Sequence, residues 1–260
     1  MGTYNPEFKH LAPKQQIPAC EILGVKIAAV DMPWLLDFTQ QNIQGLSGDY
    51  MCAANVHTTV TAWEDAHYRE AQNGGIMAIP DGAPLYYVGK MRGSKGIQRI
   101  TGPDYMERIF EMSARKGYRH YFYGSSNETL EKMRRKLEKQ YPQVCIAGMY
   151  SPPYRDLTPE EKREDIARIN EANADFIWVG LGAPKQELWM AEHQGNVKGF
   201  MVGVGAAFDY FAGNIKRAPK WMQSCCLEWL YRLLQDPGRL FARYWHSNIR
   251  FIYHAIIRRK

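Results

Sequence analysis

Three kinds of side chain in this 260-residue chain stand where they could do chemistry. The first is a carboxylate, Asp81, in Ile79-Pro-Asp-Gly82. It closes a short apolar run and precedes a helix-like one, so it belongs at a strand end. A carboxylate there can act as a general base on an acceptor hydroxyl within hydrogen-bonding reach. An Asp-Gly pair is also a common turn or helix cap, and the pattern leaves both readings open. The second is the stretch Gly180-Leu-Gly-Ala-Pro-Lys-Gln-Glu187. Gly180 and Gly182 allow a sharp turn and close approach of the backbone to a ligand. Pro184 fits a first helical position, and the amides of that helix start would attract phosphate. Lys185 and Gln186 add a cation and a two-way hydrogen-bonding amide at the mouth. The third kind is dispersed. Asn55 ends a strand-like run and can contact a ligand or serve a turn. Tyr154 lies in a loop and can stack on a base or cover the core. Asp209 lies near a helix start.

The elements that must position these groups repeat one pattern. Strand-like runs at Tyr50–Val56, Gly75–Pro80, Tyr118–Tyr123, Val144–Tyr150, Asp175–Val179 and Gly199–Gly203 are each followed by a turn and a helix-like run. Such alternation predicts a parallel, doubly wound sheet, and in an open sheet of that kind the strand ends face the ligand crevice. Ile22–Val30 reads as two short strands bent at Gly24. Asp31 caps a first helix, Thr58–Ala71 reads as one helix, and Thr158-Pro-Glu-Glu161 has the form of a capping box. A nicotinamide enzyme is a rival for this architecture, but no junction carries the full Gly-x-Gly-x-x-Gly with its downstream acid.

Charge divides the chain. From Lys216 to Lys260 there are ten Lys/Arg against Glu228 and Asp236, a net +8 in a chain of +6, so residues 1–215 carry −2. Such a tail seeks an anionic partner. It is also aromatic, with Trp221, Trp229, Tyr231, Phe241, Tyr244, Trp245, Phe251 and Tyr253 at helical spacing. That composition suits an interfacial membrane helix or a helical pair packed on the body. No recognised nucleic-acid motif accompanies the charge, so no nucleic-acid partner is expected. The first ten residues are polar and lack a signal-peptide core, and no apolar run reaches the roughly 18–20 residues of a spanning helix. Five cysteines (Cys20, Cys52, Cys145, Cys225, Cys226) have no metal-ligand spacing and an odd total, which fits a reducing compartment. The expected layout is a loose arm over residues 1–18, an α/β body over 19–215 and basic aromatic C-terminal helices over 216–260.

Taken together, Pro80-Asp81-Gly82, Arg99 with Gly102, Gly182-Ala-Pro-Lys-Gln-Glu187, Gly203-Val-Gly205 with Phe208-Asp209, Ala212-Gly-Asn-Ile-Lys-Arg-Ala-Pro219 and Glu228-Trp-Leu-Tyr-Arg-Leu233 resemble the WecG/TagA/CpsF family of bacterial glycosyltransferases. The motifs keep one order over about residues 20–240. The resemblance implies an α/β, Rossmann-like, mostly parallel sheet flanked by helices, with a C-terminal amphipathic helical appendage. It implies an inverting transferase that moves a sugar from a UDP-sugar to a polyprenyl-diphosphate-linked saccharide in surface polysaccharide synthesis. Asp81 would be the base, and Arg217, Arg232 and Arg239 would meet the lipid diphosphate or departing UDP. Asn55, Arg99, Tyr154, Gly182, Lys185, Gln186, Glu187, Gly205 and Asp209 would form the substrate site. The sequence contains no Asp-x-Asp, so no cofactor and no metal are expected. The tail would dock on an anionic membrane, placing the enzyme peripherally at the cytoplasmic face of the inner membrane; a homo-oligomer stays open. Teichoic-acid members carry Thr-Pro where this chain has Ala53-Ala54, and Ala53 offers no hydroxyl. A subunit that binds sugar nucleotide, or acts as a scaffold, without catalysis is the alternative, and turnover separates the two.

Overall fold

The computed structural model describes residues 8–225 and 227–258; the side chains of Ser224, Arg239 and Arg243 also lie outside that description. Eight strands and twelve α-helices follow in chain order: β1 (Ala19–Ile22), β2 (Val25–Ala28), α1 (Met32–Asn42), β3 (Tyr50–Ala54), α2 (Val56–Glu64), α3 (Ala66–Gly74), β4 (Met77–Pro80), α4 (Ala83–Met91), α5 (Gly102–Lys116), β5 (Arg119–Gly124), α6 (Asn127–Gln140), β6 (Cys145–Tyr150), α7 (Pro159–Glu171), β7 (Phe176–Gly180), α8 (Lys185–Glu192), β8 (Phe200–Gly203), α9 (Ala207–Ala212), α10 (Lys220–Ser224), α11 (Glu228–Gln235) and α12 (Pro237–Phe251), which continues as a π-helical segment over Ile252–Ile257. These counts refer to the described residues.

The strands form one sheet in the order β1-β2-β4-β3-β8-β7-β5-β6. Only the β1–β2 hairpin is antiparallel; every other pairing is parallel. The expected α/β, Rossmann-like architecture is what the chain adopts. From β3 the chain steps outward to β4, whereas β8 returns to the other side of β3. The order reverses between β3 and β8, and a crevice opens above the carboxyl ends there.

Central strands are buried on both faces, which explains their nearly unbroken apolar runs. Their residues still alternate. His120, Phe122, Phe176 and Trp178 meet α1, α5, α6 and α9 on one face. Tyr121, Tyr123, Ile177 and Val179 meet α2, α3, α7 and α8 on the other. Two glycines let β5 and β7 end in contact: a Cβ on Gly124 (φ +119°) would lie 2.7 Å from the Gly180 carbonyl, and one on Gly180 would strike the Phe208 ring.

Local chemistry sets the helix starts. Asp31 accepts from the Trp34 amide, and the Thr158–Glu161 capping box closes in both directions. The single helix expected over Thr58–Ala71 is two helices. Asp65 ends α2 and caps α3, accepting from the amides of His67 and Tyr68, so its carboxylate competes with continued helix. Pro184 precedes α8 instead of opening it, and the Ala183–Pro184 peptide is cis.

The arm expected over residues 1–18 is described from residue 8, and there His10 pairs with buried Asp49 at 2.5 Å, and the Lys14 ammonium donates to the carbonyls of Asn73 and Gly74. The tail packs on the body, one of its two expected arrangements. α12 lies on α2, where His57 Nδ1 meets Ser247 Oγ at 3.2 Å and Arg250 pairs with Glu64. Phe251 and Ala255 join the core of that face. Among the described residues no helix is long and apolar enough to cross a membrane.

One core group makes stability depend on pH. His120 is fully buried, accepts at Nδ1 from Trp178 Nε1 (3.0 Å) and lies 2.8 Å from Ser113 Oγ through Nε2. Burial lowers its pKa to about 3. The unfolded chain therefore takes up a proton below its ordinary value of about 6.5, which the folded chain refuses until about pH 3, so this contribution is lost as pH falls. Urea unfolding is expected to show about 2 kcal/mol less stability from this group at pH 5 than at pH 7.5. His120→Gln, which cannot titrate, is expected to show a shallower slope.

Candidate functional site

A cleft of about 980 Å³ lies over the reversal point of the sheet. Each wall descends from a strand end. β3 delivers Ala53 and Asn55, β4 delivers Asp81, β5 Ser125, β7 Gly180 and Gly182, and β8 Val204 and Gly205. The tail closes the far side with Glu228, Trp229 and Arg232 of α11 and Ser247 and Phe251 of α12.

Asp81 is held through its backbone and one carboxylate oxygen. Its amide donates to the Ala54 carbonyl at 2.8 Å, tying it to β3. Oδ1 accepts from the Gly102 amide at 3.2 Å, at the start of α5. It does not cap the helix that follows: the N-cap of α4 is Gly82, with no side-chain cap. Burial pushes its carboxyl above the usual range; Arg99 opposes that shift and Glu228 adds to it. A carboxylate raised in this way takes a proton more readily at physiological pH.

Arg99 stands beside it. Nε donates to the Asp81 carbonyl (3.0 Å), Nη2 to Glu228 Oε2 (2.5 Å) and Nη1 to the Gln223 carbonyl (3.4 Å). Arg217 does not line the cleft. It donates through Nη1 to Asp104 Oδ1 at 2.7 Å, and its Nε lies 3.9 Å from Glu228 Oε1. Arg232 does line it, 5.7 Å from the Tyr210 ring centroid. Arg239, the remaining arginine expected at this site, lies outside the described side chains.

At the other end Asn55 serves as a helix cap and also lines the cleft. Its Oδ1 caps α2 by accepting from the amides of His57 and Thr58, which leaves its amide nitrogen for the cleft. Tyr154 is 99 % exposed and lines the cleft. The Lys185 ammonium sits 5.0 Å from the Tyr154 ring centroid, outside the lining. Asp209 lines the cleft and accepts from Asn214 Nδ2 at 3.1 Å.

Gln186 and Glu187 work below the surface. Gln186 Oε1 accepts from the Gly205 amide (3.0 Å), and Nε2 donates to Glu187 Oε1 (2.7 Å). Glu187 is wholly buried and does not line the cleft. Burial raises its carboxyl pKa, against hydrogen bonds from Gln186 and the Tyr68 hydroxyl. The Gln186 amide is also occupied, donating to the Gly182 carbonyl at 3.0 Å, so the start of α8 is less open to an anion than its sequence implies.

Sequence reasoning missed part of the cleft. Tyr87, Val88 and Met91 of α4 and Phe251, Ile252 and Ile256 of the tail line the cleft together and give it an apolar arm. Met91 is 70 % exposed there. Glu228 was also missed as a site residue; its signal was that it is one of only two acids in a strongly basic tail.

Comparison with known proteins adds two findings. Residues 20–260 match the family described as "Glycosyl transferase WecG/TagA/CpsF family". The chain is 29% identical over 193 residues to the N-acetylglucosaminyldiphosphoundecaprenol N-acetyl-beta-D-mannosaminyltransferase of Bacillus subtilis (strain 168), covering 74% of this chain and 73% of that protein. It is 30% identical over 193 residues, with the same coverage, to the protein of that name from Bacillus spizizenii.

The Gln186 bridge yields a stability test. Gln186→Leu removes the partners of the Gly205 amide and of Glu187 at once. Thermal or urea unfolding is expected to show a loss of about 1–3 kcal/mol.

Proposed function

The chain belongs to the WecG/TagA/CpsF family of glycosyl transferases, and from that premise we propose that it moves a hexose or hexose derivative from a UDP-sugar to a polyprenyl-diphosphate-linked saccharide, with inversion. One observation carries this reading. Asp81 sits partly buried in a cleft whose lining combines a polar basin of strand ends with an apolar arm of side chains from α4 and the tail. A donor nucleotide suits the basin and a lipid-linked acceptor suits the arm.

The chemistry follows from that placement. Asp81 takes the proton of the acceptor hydroxyl as its oxygen bonds to the anomeric carbon. The bond from that carbon to the UDP oxygen breaks on the opposite face, and UDP leaves as an anion. Asn55, Tyr154, Gly182, Gln186, Gly205 and Asp209 would surround the donor, with Lys185 beside Tyr154 at the rim. Arg232 places positive charge in the cleft where the diphosphate gains negative charge, a strong device in a water-poor site. The transfer is proposed to need no metal. Ala53 lines the cleft without a hydroxyl, so the donor sugar is left to experiment.

Membrane attachment belongs to the same reading. Phe241, Trp245, Ile249, Ile252 and Ile256 form an exposed stripe at helical spacing along α12 and its extension. Trp245 is 64 % exposed. This stripe, with the basic charge of the tail, suits an anionic bilayer from which the lipid end of the acceptor enters the apolar arm. The enzyme then works peripherally at the cytoplasmic face of the inner membrane.

Release of UDP across a panel of UDP-sugars, with and without a polyprenyl-diphosphate-linked saccharide, tests the reading. Release that requires one sugar and the acceptor is expected. Asp81→Asn is expected to lower it by about 10²–10⁴-fold, and the acidic limb of kcat is expected above the roughly 3.9 of an ordinary Asp. UDP binding without turnover under all conditions would favour a non-catalytic subunit. The double substitution Trp245→Glu with Ile249→Glu is expected to weaken binding to anionic vesicles by about tenfold or more while UDP affinity holds.

A further inference from the structure

We propose that Glu228 is a positioning residue for Asp81: it clamps Arg99, whose other edge holds the Asp81 backbone, so the base reaches its working position only when the C-terminal helices are seated. The inference rests on the reading of Asp81 as the base.

The geometry is a relay across two parts of the fold. Arg99 belongs to the connection between α4 and α5. Its Nε is bonded to the Asp81 carbonyl and its Nη2 to Glu228 Oε2. Glu228 is the first residue of α11 and is nearly buried. The guanidinium is planar, so fixing one edge fixes the direction of the other. Arg99 Nη1 also reaches the Gln223 carbonyl in α10, giving the tail a second hold. Arg217 approaches Glu228 from the opposite side at 3.9 Å and is anchored by Asp104. Asp104 in turn accepts from Thr101 Oγ1 at 2.6 Å, one residue before the Gly102 amide that binds the Asp81 carboxylate. Both routes from Glu228 end on Asp81, one at its carbonyl and one at its carboxylate.

Electrostatics gives the relay a readout that simple packing would not move. The charged groups acting on Asp81 are Arg99, Glu228 and Arg232. Asp209 and Tyr210 of α9, His57 of α2, Tyr87 of α4, Tyr244 of α12 and Tyr154 are the other titratable groups that neighbouring elements bring to the same cleft. Glu228 offsets Arg99. Removing its charge leaves Arg99 to favour the ionised base, so Asp81 then loses its proton at lower pH.

The test is a double-mutant cycle with a pH profile, on the full chain with vesicle-borne acceptor. Glu228→Ala is expected to lower kcat by about tenfold to a hundredfold, with KM for the UDP-sugar unchanged. Glu228→Gln keeps an acceptor oxygen for Arg99. It is expected to recover most of the rate while its acidic limb moves to lower pH. In an Arg99→Ala background, Glu228→Ala is expected to have little further effect, because both changes break one relay. Additive effects, or wild-type kcat and an unmoved limb, overturn the inference. Should the Ala variant fail to fold, the Gln profile decides. A ¹³C titration of the Asp81 carboxyl in wild type, Glu228→Gln and Arg99→Ala reads the same coupling without turnover. An inert wild type sinks the base reading, whereas an active wild type with uncoupled Glu228 sinks only this inference.

Discussion

The guanidinium of Arg99 is the tie on which the rest of the site depends. It sits between the carbonyl of Asp81, which belongs to the sheet, and the carboxylate of Glu228, which belongs to the tail. Both partners of the ion pair are mostly shielded from water. Removing one member of such a pair leaves an uncompensated charge and typically costs about 3–5 kcal/mol. The pair is therefore weak evidence for stability. It joins the sheet body to the C-terminal helices.

That junction gives the cleft its mixed character. The sheet alone offers polar backbone and small residues at its strand ends. The tail alone is an amphipathic helix pair. Docked on α2, α12 turns one face inward through Leu240, Ser247, Phe251 and Ala255 and leaves a second apolar stripe outside. Apolar surface on both sides of one helix is costly in water, and the proposed membrane docking would cover the outer side.

Rigidity is distributed unevenly around the cleft. Gln186 and Glu187 are buried, and Gln186 ties Glu187 Oε1 to the Gly205 amide, linking the strand-end loops of β7 and β8. Tyr154 and Lys185 are exposed and held mainly by each other. That end of the cleft thus combines a buried, hydrogen-bonded floor with an exposed rim.

Much of the fold was legible in the chain because its determinants are local. Alternating apolar runs, glycine turns and the Asp31 and Thr158 caps act within a few residues, and they specify parallel strands with helices between them. The strand-end rule then placed Asn55, Asp81, Gly182 and Gly205 on one rim. Misreadings arose where local signals compete. Asp65 terminates one helix and starts another with the same carboxylate, and Pro184 precedes its helix although its φ suits the first turn. Charge asymmetry identified a distinct tail but not where it packs. Docking depends on side chains far apart in the chain: His57 with Ser247, Arg99 with Glu228. For the same reason, only the tertiary structure showed Glu187 to be buried beneath the site, Arg217 to be engaged with Asp104, and the apolar arm to run between α4 and the tail. The sequence by itself determined the elements and the ends that carry chemistry, because helix, strand and turn preferences are set by near neighbours. Which long-range partners neutralise each charge was decided by folding, because an ion pair depends on distance in space and not on separation along the chain.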